Sequence, residues 1–181
     1  MTAVKDLMST DVVSVSPELS LRNALELLAA RHIGGAPVVS GGRVVGVVSM
    51  SDILSFEAST PVVPSGGAGE AERDLEPAEE WREGDDAPAA FFEDLWPDAG
   101  ADVLERFEQT GGPEWDLLAE HTVAEAMSRQ VVSVGPRTSA EEAARLMSRL
   151  EIHRLLVLDD GRLAGVLSAM DLVRAMAERR L

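Results

Sequence analysis

The sequence predicts an α/β fold of the α+β kind, in which two β-α-β-β-α repeats pack as a pseudo-twofold pair with an acidic insert between them. Three observations predict it. The stretch Val44-Val45-Gly46-Val47-Val48-Ser49-Met50-Ser51-Asp52 returns as Leu163-Ala164-Gly165-Val166-Leu167-Ser168-Ala169-Met170-Asp171, at a constant offset of 119 residues. Residues 4–54 superpose on 123–173 at that offset without a gap, with identical pairs at Met8/Met127, Ser9/Ser128, Val12/Val131 through Val15/Val134, Pro17/Pro136, Ile33/Ile152, Gly42/Gly161 and Arg43/Arg162, a register that chance does not hold. Within each copy, short β-branched runs alternate with stretches of helical apolar spacing. A unit of about fifty residues buries too little apolar surface alone, so the copies are expected to pack sheet against sheet.

In the first copy, Val4 to Met8 is one amphipathic turn, and Val12-Val13-Ser14-Val15 reads as a strand ended by Pro17. Ser20 is placed to cap a helix whose Leu21, Ala24, Leu25 and Leu28 fall on one face. That helix should end near Gly34-Gly35. Ala36 to Val39 and Val44 to Val48 then form a hairpin around Ser40-Gly41-Gly42-Arg43, and a helix from about Asp52 to Phe56 closes the unit. Domain limits follow at 1–57 for the first repeat, 58–120 for the insert and 121–181 for the second repeat.

Charge separates the insert from the repeats. Residues 57–120 hold 19 of the 32 Asp and Glu and only Arg73, Arg82 and Arg106 among the 16 Lys and Arg, so the net charge of −16 resides there and the rest is neutral. All three Trp and three of the four Phe lie in the same segment. With no basic surface excess for a phosphate backbone, nucleic-acid binding is not expected. No apolar run approaches the ~20 residues that span a bilayer and Met1 to Asp6 is no leader, so the expectation is a cytoplasmic chain with no membrane partner. The absence of cysteine excludes disulfides, thiolate metal sites and a cysteine nucleophile.

Inside the insert, Thr60 to Gly69 and the acidic run to Pro88 lack periodicity and read as a mobile linker, whereas Ala90 to Trp96 and Ala101 to Phe107 read as short helices that dock on this protein or on a partner.

The duplicated stretch also carries chemistry. A hydroxyl at the end of a strand beside the N–H groups of a helix start can hold a phosphate, and a carboxylate one turn on can accept from a ribose diol. Ser49 with Asp52, and Ser168 with Asp171, thus measure out a nucleoside phosphate. The alternative is helix capping, with the acid favoured by the dipole and the hydroxyl satisfying local backbone. We take the Ser three residues before the Asp in both copies as favouring ribose, since a lone capping acid does not need it.

Each copy resembles a CBS (cystathionine β-synthase) domain, and the pair resembles the tandem arrangement called a Bateman module. The resemblance covers about 1–57 and 121–177, through Met-Ser, Val-Val-Ser-Val-x-Pro and Gly-x-x-Ser-x-x-Asp at matched spacing. It implies a regulatory role, usually as a homodimeric disc of four units, and an adenosyl ligand such as AMP, ADP, ATP or S-adenosylmethionine held between the repeats. Val13 and Val132 match positions whose backbone lies beside the base. Neither repeat offers an aromatic for adenine to stack on, so the base is expected between aliphatic side chains. Where the first copy has Gly34-Gly35, the second has His153-Arg154, which resembles the Ile-His-Arg-Leu pattern of the nucleotide-sensing gamma subunit of AMP-activated kinase, whose basic pair faces ligand phosphates. A surface cation preceding a strand is the other reading of Arg154. The asymmetry predicts one stronger and one weaker cleft.

No catalytic constellation, P-loop or metal-ligand grouping is found. Two functions remain: a regulatory sensor with an adenosyl ligand and no catalytic cofactor, or a ligand-free dimerisation scaffold that presents the acidic insert to a protein partner.

Overall fold

The structure, a computed structural model, describes residues 2–60, 75–93 and 117–181. The insert helix expected at Ala101 to Phe107, and the residues of the first insert helix beyond Glu93, lie outside them.

In the first repeat, a 3-10 turn at Val4–Asp6 leads to α1 (Leu21–Ala30), the hairpin β1 (Gly35–Ser40) and β2 (Arg43–Ser49), and α2 (Met50–Ser59). The insert contributes β3 (Glu79–Glu80), α3 (Ala90–Glu93) and α4 (Leu117–Glu120). The second repeat holds α5 (Val123–Ala126), β4 (Gln130–Val131), β5 (Ser133–Val134), α6 (Ala140–Leu150), β6 (Arg154–Asp159), β7 (Arg162–Ser168) and α7 (Ala169–Ala177). Ser20 caps α1 as its position predicts, accepting from Asn23 N at 3.2 Å, and Leu21, Ala24, Leu25 and Leu28 form the buried face.

Both hairpins are antiparallel with a bulge at the same place, between Val38 and Val39 in one and between Val157 and Leu158 in the other. β5 adds to β6 in parallel. In the first copy the strand expected over Val12 to Val15 shrinks to a single parallel bridge, Val15 to Val38, held by Val15 N to Pro37 O at 3.0 Å and Val39 N to Val15 O at 2.9 Å.

The pseudo-twofold relation appears in how the copies cross. Ser9 bridges Val166 and Ser128 bridges Val47, while Ala3 bridges Ser139 and Ser20 bridges Thr122. Each pair of bridges maps onto itself by the repeat offset. The leading turn of each repeat thereby packs in the other repeat: Val4 is fully buried in the cluster containing Leu155, Leu156, Val157 and Leu167, and Val123 in the one containing Leu21, Leu25, Val38 and Val48. Burying an aliphatic side chain in this way contributes about 1.5–3 kcal/mol, so each repeat is stabilised by a piece of its twin.

The glycine of the duplicated stretch makes this crossing possible. A Cβ at Gly46 would lie 2.5 Å from Ser128 O, and one at Gly165 would lie 2.7 Å from Ser9 O and 2.8 Å from the Met8 sulfur. The Met-Ser pair and the Gly recur together because they form one contact.

Part of the expected linker is docked. Glu79–Glu80 pairs in parallel with Gln130–Val131, Trp81 N donates to Val131 O at 2.8 Å, and Ala78 N donates to Val44 O at 2.9 Å. The Glu80 carboxylate accepts from Ser133 N at 2.9 Å and Oγ at 2.6 Å. The reading of residues 75–88 as mobile is thus corrected. Backbone pairing holds the segment, and backbone pairing leaves no apolar period in a sequence.

Candidate functional site

Between the repeats lies a cleft of about 280 Å³, just below the roughly 300–1,000 Å³ of ligand sites. Val12, Val13, Ile33, Gly35 and Pro37 of the first repeat wall one side, and Val166, Ser168, Ala169 and Met170 of the second wall the other. His153 and Arg154 enter from the start of β6, Ser9 and Asp11 stand at the rim, and Phe91 enters from the insert. The lining is mostly aliphatic, with a cation, a hydroxyl and the start of α7 gathered on the second-repeat side.

The local fold places these groups. Ser168 ends β7 and caps α7, accepting from Asp171 N at 3.3 Å, while Asp171 Oδ2 accepts from Ser168 N at 2.8 Å and Ser168 Oγ at 2.6 Å. Asp171 Oδ1 meets Arg174 at 3.4 Å, and its side chain is only 12% exposed. The first repeat repeats the pattern: Asp52 Oδ2 accepts from Ser49 N and Oγ, both at 2.7 Å, and Ser49 Oγ accepts from Asp52 N at 3.1 Å. These are reciprocal capping boxes. The Ser at that spacing is therefore accounted for by capping, and the argument that it favours ribose is withdrawn. In Asp171 the cap takes Oδ2, and the exposed Arg174 meets Oδ1 at 3.4 Å; a carboxylate oxygen has two acceptor positions.

Of the residues singled out in the sequence, Val13, His153, Arg154 and Ser168 line the cleft, and Asp171 stands one turn behind Ser168. Ser49, Asp52 and Val132 do not line it. They occupy the equivalent positions on the other side of the pseudo-twofold, where Ser49 is fully buried and Val132 is 3% exposed.

No aromatic of either repeat lines the cleft, but the insert brings Phe91 to it, so its walls are not aliphatic alone. The Phe91 ring lies under the Arg154 guanidinium, 5.2 Å from Cζ to centroid, and stands edge-on to Phe92 at 5.0 Å. The main chain of α3 is tied to β6 by His153 N donating to Phe92 O at 2.8 Å. The sequence placed aromatics at helical spacing in the insert, which signalled docking, but a spacing does not say against what. Ile33, Pro37 and Val166 were also not singled out, since aliphatic cleft walls and aliphatic core read alike.

Among the described residues, no group of three or more His, Asp or Glu could hold a metal ion, and no helix is long and apolar enough to cross a membrane.

Comparison with known proteins agrees with the architecture. The CBS domain model matches residues 4–59 and 123–178. The CBS domain-containing protein YhcV of Bacillus subtilis is 25% identical over 172 residues, covering 95% of this chain and 84% of its own length. The crystal structure of CBSX2 in complex with AMP superposes with a TM-score of 0.61 over the whole of both chains at 23% identity. The CBS domain pair of protein MJ0100, in complex with 5-methylthioadenosine and S-adenosyl-L-methionine, superposes with a TM-score of 0.58 over 99% of this chain and 98% of that one, at 18% identity. With both copies matched, joined through exchanged turns and enclosing a cleft, this chain belongs to the CBS domain family as a tandem pair.

Proposed function

We propose that the chain is a regulatory module that takes an adenosyl compound, from the set AMP, ADP, ATP and S-adenosylmethionine, in the cleft between its repeats. The observation that carries this reading is the composition of the cleft: aliphatic walls from one repeat face Arg154, His153, Ser168 and the start of α7 from the other. Such a site suits a flat, weakly polar base at one end and an anionic or hydroxylated group at the other. Val13 would lie against the base, Arg154 and His153 toward phosphate, and the ribose toward Asp171 Oδ1, in place of or beside its exposed Arg174 contact. The AMP complex of CBSX2 and the methylthioadenosine and S-adenosylmethionine complex of MJ0100 support the ligand class. Asp11 at the rim disfavours a long polyphosphate leaving by that side. On this reading the ligand does no chemistry. It shifts the relative stability of two packings of the pair, by no more than its differential affinity for them.

Thermal denaturation against adenosine, AMP, ATP and S-adenosylmethionine tests the proposal. A compound at a hundredfold excess over its Kd stabilises by about 2.7 kcal/mol. A flat panel at millimolar ligand would remove the adenosyl reading.

One observation favours a second role. Met170, Val173 and Met176 stand on α7 at 59%, 53% and 66% exposure, which supports a homodimer whose interface runs along this helix. The two roles are compatible, since Met170 borders both the cleft and that face.

A further inference from the structure

The repeat offset gives every repeat residue of the open cleft a counterpart. In the open cleft Val13, Ile33, Val166, Ser168 and Ala169 are all partly exposed. Their counterparts are Val132 at 3% exposure, Ile152 at 2%, Val47 and Ser49 at 0%, and Met50 at 5%. A second cleft equivalent by symmetry is therefore closed.

What closes it is the insert. Phe91 and Phe92 pack in one cluster with Val47, Val132 and Ile152, and Ala78, Trp81 and Ala89 pack against the same cluster. β3 lies along Gln130–Val131, whose counterparts Asp11 and Val12 line the open cleft. The one place where the repeats disagree in chemistry fits the same arrangement. Arg154 of the second repeat corresponds to Gly35 of the first, and a Cβ on Gly35 would stand 2.7 Å from Val48 O and 2.9 Å from Phe91 Cδ2. Glycine here keeps a side chain off both the paired strand and the ring, and the first copy carries no cation at this place.

We infer that residues 75–93 are a tethered occupant of the second inter-repeat cleft, held by aromatic packing where the open cleft takes a small molecule. The chain then binds one adenosyl ligand, not two. This rests on the adenosyl reading for the ligand count alone, since the occupancy itself is a statement about the insert. Phe91 also walls the open cleft, so a ligand there touches the plug of the other.

The chain has no cysteine, so single introduced thiols report access to each cleft by their rate of maleimide labelling. Val13→Cys is expected to label readily and to be protected by AMP. Val132→Cys is expected to label at least about tenfold more slowly, with no effect of AMP. Adding Phe91→Ala with Phe92→Ala to Val132→Cys should raise its rate about tenfold and make it sensitive to AMP. Because that pair of changes removes core side chains, Glu80→Ala serves as a second variant: its side chain is exposed and its loss releases β3 from Ser133 without opening the core. Val132→Cys labelling as fast as Val13→Cys, or a slow rate unmoved by either insert variant, overturns the inference. Protection by AMP at neither thiol in any background removes the adenosyl reading instead, and the response of Val132→Cys to the insert variants still decides whether the insert is the occupant.

Discussion

At Gly46 and Gly165 the difference between a hydrogen atom and a methyl group acts on the joint between the two repeats. The atoms a methyl would meet are backbone carbonyls of the exchanged segments, Ser128 O and Ser9 O, which cannot swing aside as a side chain can. Gly165→Ala is expected to destabilise by about 1–3 kcal/mol, the range for overpacking a filled site, with Gly46→Ala similar; chemical denaturation measures both, and unchanged midpoints would show that the crossing tolerates another atom. The capping carboxylates permit a sharper comparison. Asp52→Ala and Asp171→Ala should each lose about 1 kcal/mol of stability through the cap. Asp171 stands one turn behind Ser168, which lines the open cleft, whereas Asp52 stands behind the fully buried Ser49, so Asp171→Ala alone should also weaken adenosine and AMP by a common factor. Calorimetry that finds both affinities intact in Asp171→Ala leaves that carboxylate as a cap and nothing more.

Among the elements, those fixed by local chemistry were legible and those fixed by partner choice were not. Helix α1 follows from the Ser20 cap and four aliphatic residues on one face, and the hairpins follow from β-branched runs around glycine turns. The exchange of leading turns leaves no mark in the sequence, because a repeat identity shows what is duplicated and not which copy each piece packs on. The docking of residues 75–88 was missed for a related reason, since β3 contributes backbone hydrogen bonds and exposed glutamates rather than an apolar period. Of the site, His153-Arg154 was legible as the chemical difference between the copies, while its contact with Phe91 required the fold. Element α3 bears on a prediction here. Arg154 lies over the Phe91 ring and lines the cleft, so its cation is partly positioned by the insert. Arg154→Ala should narrow the gap between AMP and adenosine by about ten- to a hundredfold, the equivalent of one charge-assisted contact of roughly 1.5–3 kcal/mol. Equal weakening of the two ligands in calorimetry would return Arg154 to a structural role.

Across the whole molecule, the pseudo-twofold is broken twice, and both breaks bear on assembly. The insert fills one side of the pair, and the closing helices differ in their outer faces. On α7 the exposed large apolar positions are Met170, Val173 and Met176, whereas the corresponding positions on α2 are Ser51, Leu54 and Glu57. A self-complementary contact of two copies needs an apolar patch near its axis, and α7 offers one that α2 lacks. The net charge of −16 resides largely in the insert, away from this helix in sequence, and repulsion between exposed carboxylates more than ~8 Å apart is screened at physiological salt. The expected assembly is thus a dimer centred on α7 packed against its symmetry mate, formed at micromolar concentration. Replacing Val173 and Met176 together by Glu should yield a monomer with unchanged secondary structure by circular dichroism, because both side chains are more than half exposed and their loss leaves no cavity. Sedimentation velocity on the native chain and the double variant checks this. A native chain that sediments only as a monomer ends the proposal of a dimer, and a double variant that remains dimeric moves the interface away from α7.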